Sequence, residues 1–478
     1  MSDSQPLDER VTNRSLRPDS PVFLAWVTSG WGARVGQTVQ RSAVADFAAQ
    51  RRARLAERFP GVRLVVPAGS RKVRSNDTDY RFRAHAAFAH LTGLGGEHEP
   101  GAVLTIGPDE HRLYLRPPAG RETPEFFADA RSGEFWVGPR PTLEDMAVAT
   151  GLRTADLAGL RDDLAGPLLV VRHDDAVTAM VDEVRGTHDA DGDDALHEAV
   201  SELRLVKDAY EIDQMRQAVA ATIAGFTDVV RALPRALAHP RGERVVEATF
   251  GARARTEGNT VGYATIAAAG PHATTLHWTD NDGPVRRGDL LLLDAGVEAQ
   301  SLYTADLTRT LPVGGQYSPV QRQVYQAVLD AADAAFAVAA PGTRFRDVHE
   351  AAMGVLADRL AQWGLLPVAP EVALQPDQQH HRRWMVHGTS HHLGLDVHDC
   401  AQARRELYLD GILQPGMVFT IEPGLYFQPD DLLVPEQLRG IGVRIEDDVL
   451  VTADGCENLS AGLPRQAAAV EAWMASLA

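Results

Sequence analysis

Leu290-Leu291-Leu292-Leu293-Asp294-Ala295-Gly296, and a little downstream Asp306-Leu307-Thr308-Arg309-Thr310, is the stretch from which the fold reads outward. Four consecutive leucines make a buried strand, and a carboxylate at its end is costly to bury without a partner. If residues 297–305 form the turn of a hairpin, Asp294 and Asp306 face each other across adjacent strands. Facing like charges repel unless a cation lies between them. For this pair taken alone, a strand-end acid salt-bridged to Arg309 is an equally good reading.

The pair gains weight from two further acids on apolar strands. Glu422 lies in Thr420-Ile421-Glu422-Pro423-Gly424, and Glu446 in Arg444-Ile445-Glu446-Asp447-Asp448. A fifth group is in His387-Gly388-Thr389-Ser390-His391-His392-Leu393-Gly394, with His398 just downstream. The spacing of His387 and His391 imitates a zinc-peptidase helix, but no Glu follows His387, and Gly388 and Gly394 oppose a helix. Around these motifs, residues 417–423 and 442–451 read as strands, and residues 319–339 and 346–364 as helices. Residues 464–477 read as a C-terminal helix with Val470 and Trp473 docked. The second domain is therefore mixed α+β.

Towards the N-terminus, residues 195–206 read as a helix, and Asp208 followed by Glu211 has the capping-box spacing that starts another. The second helix carries the apolar stripe Ile212, Met215, Val219, Ile223 and Phe226, a pattern that usually marks core. Residues 42–59 read as a helix, and residues 62–66, 102–106, 111–115 and 168–171 as strands of an α/β domain. The expected division is a first domain over residues 1–193, a connecting helix over 194–207 and a second domain over 208–478.

Composition narrows the function. The 478 residues are 44% apolar and 23% charged, an ordinary globular balance that excludes disorder and a small disulfide scaffold. A net charge of −18 repels a phosphate backbone, so nucleic acid is not the expected partner. Lys72 and Lys207 are the only lysines, and Cys400 and Cys456 the only cysteines, too few for a cysteine-based zinc site. Residues 1–10 hold acids and no apolar core, and nowhere do about 18 apolar residues run together. The expectation is a cytoplasmic protein with neither secretion signal nor membrane span.

Asp294, Asp306, His391, Glu422 and Glu446 occur in the order, and near the spacings, of the dinuclear pita-bread metallopeptidases: methionine aminopeptidase, prolidase and aminopeptidase P. The words Asp294-Ala295-Gly296, His387-Gly388-Thr389-Ser390-His391, Glu422-Pro423-Gly424-Leu425-Tyr426 and Gly442-Val443-Arg444-Ile445-Glu446-Asp447 resemble aminopeptidase P most. Asn76-Asp77-Thr78-Asp79-Tyr80-Arg81-Phe82 and Phe88-Ala89-His90-Leu91-Thr92-Gly93 resemble that family's N-terminal domain, which methionine aminopeptidases lack. The resemblance implies a creatinase-like α/β domain followed by a pita-bread metallopeptidase domain. Two departures stand out: the Asp294–Asp306 interval is one residue longer than in many members of the family, and His392 occupies a position where an aromatic residue is common.

The resemblance also implies roles. Asp294 would hold one divalent ion, His391 and Glu422 the other, with Asp306 and Glu446 bridging both. Four carboxylates balance two divalent charges, and oxygen ligands with one imidazole favour manganese. Two such ions lower the pKa of a shared water and polarise the scissile carbonyl. Glu422 would act as general base, His398 as donor to the developing oxyanion, His387 as the wall beside proline and His277 as a positioning group. Arg444 would either orient a carboxylate or peptide oxygen of the substrate or neutralise the acidic cluster. The expected substrate is a peptide with proline at its second position, and the expected assembly a homodimer or homotetramer. Prolidase, restricted to Xaa-Pro dipeptides, shares all five ligands; a metal-free pita-bread binding module is the alternative from another class.

Overall fold

Strands form at Arg63–Pro67, Val103–Ile106, His111–Leu115 and Leu168–Val170, within two residues of where apolar runs place them. The computed structural model describes residues 20–32, 39–76, 78–96 and 99–477; the acidic leader over residues 1–10 and Asp77 of the first-domain motif lie outside the described residues. Arg153–Asp156 joins those strands as an edge, giving the order Arg153–Asp156, His111–Leu115, Val103–Ile106, Arg63–Pro67, Leu168–Val170. That edge escapes the sequence pattern because Arg-Thr-Ala-Asp has no apolar alternation and buries none of its residues fully. The helix Ala45–Arg58 sets Leu55 against Leu64 and Leu104 of the sheet.

The helix expected over 195–206 runs instead over Ala190–Glu202, because Asp189 caps its start by accepting from Gly192 N–H. Leu196, Ala199 and Val200 of this helix bury into the first-domain core. The capping box at the next helix, Ala209–Leu237, is present: Asp208 accepts from Glu211 N–H at 3.1 Å and Glu211 accepts from Asp208 N–H at 2.9 Å. Met215, Val219 and Phe226 of its stripe are buried.

The second domain packs Ala209–Leu237 on Gly242–Glu257, and Pro319–Val338 on Phe345–Gln362, around small antiparallel sheets. One orders Leu307–Pro312, Leu290–Ala295 and Ile266–Ala269; a second orders Val418–Ile421, Asp447–Val451 and Cys456–Asn458; a third pairs Gly424–Tyr426 with Gly442–Arg444. The C-terminal helix Ala467–Leu477 buries Val470, and Trp473 packs partly buried against the same core. Among the described residues no helix is long and apolar enough to cross a membrane.

Two strand readings need correction. Asp294 pairs with Thr308 rather than Asp306, so the two acids are diagonal neighbours on one face. Residues 297–305 are more than a turn, since Val297–Glu298 pairs with Thr260–Val261. Gly296 permits this path because a Cβ there would overlap the Ala305 carbonyl oxygen. The run 442–451 is two strands: Gly442–Arg444 pairs with Gly424–Tyr426, and Asp447–Val451 with Val418–Ile421. The chain changes sheets at Ile445-Glu446, a break invisible in sequence because the residues on both sides are buried.

Candidate active site

One cleft of about 740 Å³ is lined by Asp294, Asp306, His391, Glu422, Glu446, His277, His387, His398 and Arg444, so all nine residues singled out from the sequence meet there. The acids sit where strands begin, end or break. Asp294 is inside Leu290–Ala295, and Asp306 just precedes Leu307–Pro312. Glu422 falls between Val418–Ile421 and Gly424–Tyr426, and Glu446 between Gly442–Arg444 and Asp447–Val451. A strand interruption frees the backbone to aim a side chain away from the alternating faces.

Ligand atoms of Asp306, His391 and Glu446 lie within 4.8 Å of one another. His391 Nε2 is 3.4 Å from Asp306 and 3.6 Å from Glu422. Backbone bonds hold these donors: Glu422 N–H donates to Thr389 O at 2.7 Å, and Glu446 N–H to Thr308 O at 3.1 Å. The Thr308 hydroxyl donates to Glu446 at 2.6 Å. Arg309 does not pair with Asp294 or Asp306. It is fully buried and donates to Asp447 at 2.6 Å and to the carbonyls of Thr308, Glu446, Leu463 and Pro464. Asp294 instead accepts from Arg444, which also donates to Tyr426 Oη at 3.0 Å and Thr308 Oγ1 at 3.2 Å. This favours the charge-neutralising reading of Arg444.

The electrostatics are those of acids crowded out of water. Burial pushes Glu422 up to about 7 against the pull of His391 and Arg444. Burial, then the charges of Asp306, Glu422 and Asp294, hold Glu446 well above the usual carboxylate range. Burial raises Asp294 as well, with Arg444 opposing. Burial works to lower His391, but Asp306 and Glu422 outweigh it and raise the ring to about 9. Carboxyls that resist ionising beside a histidine that holds its proton are what a cluster built for cations becomes when charge must balance internally. Hard oxygen donors with a single imidazole fit a pair of divalent ions.

The histidines around the ligands differ in how they are held. His387 Nδ1 is 2.7 Å from Gly388 O and its Nε2 2.8 Å from Tyr426 Oη, so both ring nitrogens are engaged. Burial, then Arg444, pushes this ring down to about 3. His398 meets the His391 ring edge-on at 4.6 Å, and His277 is exposed at the cleft. His392 points away from the ligands and stacks on Phe345 at 4.6 Å, leaving His391 as the ring in the cleft.

Sequence reasoning missed Tyr263, whose hydroxyl lies 2.6 Å from Asp294 Oδ1 and also contacts Asp306. No local pattern marks it, since it stands 31 and 43 residues from those acids. Tyr426 and Thr308 were inside quoted motifs without a role; the structure makes them the hydrogen-bonding links between Arg444, His387 and Glu446.

Comparison with known proteins agrees with this geometry. Residues 213–453 match the family description "Metallopeptidase family M24", and residues 48–166 match "Aminopeptidase P, N-terminal domain". Xaa-Pro aminopeptidase 1 of Streptomyces coelicolor is 53% identical over 94% of this chain and 91% of its own length. Xaa-Pro aminopeptidase of Escherichia coli is 31% identical over 90% of this chain and 97% of its own. A solved histidine-to-alanine variant of Escherichia coli aminopeptidase P superposes with a TM-score of 0.78 at 30% identity, covering 92% of this chain and 99% of that one. A zinc-substituted form of the same enzyme, solved with product, gives 0.77 at 30% identity over 91% and 99%. With both domains matched along nearly the whole chain, this protein belongs to the aminopeptidase P branch of metallopeptidase family M24.

Proposed function

We propose that this chain is a metal-dependent aminopeptidase that releases the N-terminal residue from Xaa-Pro-Yaa peptides. The observation that carries the reading is the convergence of five donors and four polar groups, drawn from distant segments, on one cleft. Asp294 would hold one divalent ion, His391 and Glu422 the second, and Asp306 and Glu446 both; manganese is the metal that this donor set favours. Two bound ions supply a nucleophile near neutral pH and polarise the scissile carbonyl.

The chain's own side chains do the rest. Glu422 takes a proton from the attacking water and carries it towards the leaving nitrogen. That nitrogen belongs to proline, so the scissile bond is a tertiary amide without an N–H. It needs a proton from the enzyme to depart. His398, free of hydrogen bonds to described residues, donates to the oxygen that gains charge, a role worth about 3–4 kcal/mol at comparable donors. His387, pinned through Tyr426, walls the subsite beside the pyrrolidine ring, and His277 positions the substrate at the rim. Arg444 holds Asp294 and offsets the acidic charge.

Of the division at 1–193, 194–207 and 208–478, the later boundary is the one the cores support: Leu196, Ala199 and Val200 bury in the first-domain core and Leu205 in the second, whereas a boundary at 193/194 would cut the helix Ala190–Glu202. Free Cys400 and Cys456 fit a reducing cytoplasm. A homodimer or homotetramer is supported by exposed Trp26, Phe135 and Trp136, at 73%, 67% and 58%, which a second copy would cover. Manganese-loaded protein given an Xaa-Pro dipeptide and an Xaa-Pro-Yaa tripeptide decides the substrate class: cleavage of the tripeptide is expected, and activity on the dipeptide alone makes it a prolidase instead.

A further inference from the structure

His398 lies on the loop 394–399, and among the described residues nothing hydrogen-bonds its ring. Its place is therefore set by the main chain that carries it, together with the edge-on contact of its ring with His391. That loop is anchored on residues from outside the second domain. Arg83 of the first domain donates through Nη2 to Leu395 O, through Nη1 to the Asp396 carboxylate at 3.1 Å and through Nε to Glu298 at 2.6 Å. At the other end of the loop Arg204 Nε donates to Asp399 at 2.9 Å, and Lys207 Nζ lies 3.4 Å from the second oxygen of the same carboxylate. Leu393 and Leu395 pack in one buried cluster with Ala86 and Ala89 of the first-domain helix Ala86–Thr92. Within the second domain, Thr304 N–H donates to Gly394 O at 2.9 Å.

A planar guanidinium with three acceptors in fixed directions defines orientation as a single ammonium cannot. Arg83 grips two consecutive residues of the loop while braced on buried Glu298, which in turn accepts from Asn259 at 2.6 Å. The position lies immediately after the Tyr80-Arg81-Phe82 motif, a first-domain element to which the cleft assigns no task. We infer that the N-terminal domain is a positioning element for the reaction within its own chain, Arg83 holding the 394–399 loop so that His398 meets the substrate oxygen. This rests on the proposed role of His398 and extends it. Arg83 acts through His398 and touches neither substrate nor ligand.

The test is a double-mutant cycle on the full-length, manganese-loaded protein with an Xaa-Pro-Yaa substrate. Arg83→Ala is expected to lower kcat by roughly 10- to 100-fold, the cost of misplacing a catalytic group by about 1 Å, with KM changed far less. Arg83→Lys is expected to recover only part of the loss. In a His398→Ala background Arg83→Ala is expected to cost less than about twofold, because the group it positions is gone. An equal kcat loss in that background, or an unchanged kcat in Arg83→Ala, overturns the inference. A fully active His398→Ala overturns both this inference and the role given to His398, whereas a costly His398→Ala beside a silent Arg83→Ala overturns the positioning role alone. If Arg83→Ala does not fold, Asp396→Ala, at a half-exposed acid, removes one of the three contacts and is expected to give a smaller kcat loss with the same dependence on His398.

Discussion

Asp306→Asn will remove most of the stability that a divalent cation confers. Ligand atoms of Asp306, His391 and Glu446 lie within 4.8 Å of one another, so an ion seated among them is about 3 Å from the Asp306 oxygen. At that distance a divalent charge attracts a carboxylate by about 11 kcal/mol at an effective dielectric near 20, and by about 3 kcal/mol at that of water. Even the lower figure is about a hundredfold in affinity. With manganese at about 100 times the wild-type Kd, mass action stabilises the wild type by about 2.7 kcal/mol per ion; the D306N variant, a hundredfold weaker, gains about 0.4 kcal/mol. Two ions sharing Asp306 make the wild-type gain about 5 kcal/mol, or roughly 10–20 °C in Tm for a domain of this size. The assay is thermal unfolding of chelator-stripped protein with manganese titrated back. A D306N curve that moves as far as the wild type, or a stripped wild type that does not respond, refutes the bridging role.

Glu422→Gln is expected to keep part of the manganese-dependent Tm shift while turnover falls to background, separating proton transfer from ion holding; full loss of both returns Glu422 to a plain ligand. Arg309→Met leaves the buried Asp447 carboxylate without its arginine and takes one donor from four carbonyl oxygens, and is expected to cost about 3–5 kcal/mol in urea unfolding. His392→Phe is expected to stabilise by about 1–2 kcal/mol, since among the described residues neither buried ring nitrogen makes a well-aligned hydrogen bond and the ring packs against Phe345, Tyr408 and Phe419; a lower urea midpoint contradicts this. Burial, then His173, pushes His85 from 6.5 down to about 3. A value lower in the folded chain means that the unfolded chain binds the proton first, so this stability is present above 6.5 and is lost as pH falls towards 3. Urea midpoints near pH 7 and near pH 5 measure the loss, and His85→Phe is expected to reduce it by the share of His85 alone, because burial pushes His387 and His392 down as well.

The five ligand candidates were legible because each interrupts an apolar run with an acid, or stands in a glycine-flanked histidine word. Those are costs that a chain bears only where something compensates them. Arg444 was legible as a charge beside Glu446, but its partner was not: Asp294 is 150 residues away, and nothing in either segment selects one pairing over another. Arg309 shows the converse. Its proximity to Asp306 in sequence made it a natural partner, yet alternation on a strand points successive side chains to opposite faces. It therefore lies in the core and braces the Glu446 backbone.

Local chemistry was enough for most element types, the capping box at Asp208 and Glu211, and the side chains that line the cleft, because helix caps, apolar periodicity and the cost of a buried charge act over a few residues. Register, the strand breaks that aim Glu422 and Glu446, the Tyr263 link between two acids and the grip of Arg83 on the His398 loop arose from packing between segments far apart in the chain. Those pairings depend on which surfaces meet when the two domains bury their cores, and a single linear pattern is compatible with many of them.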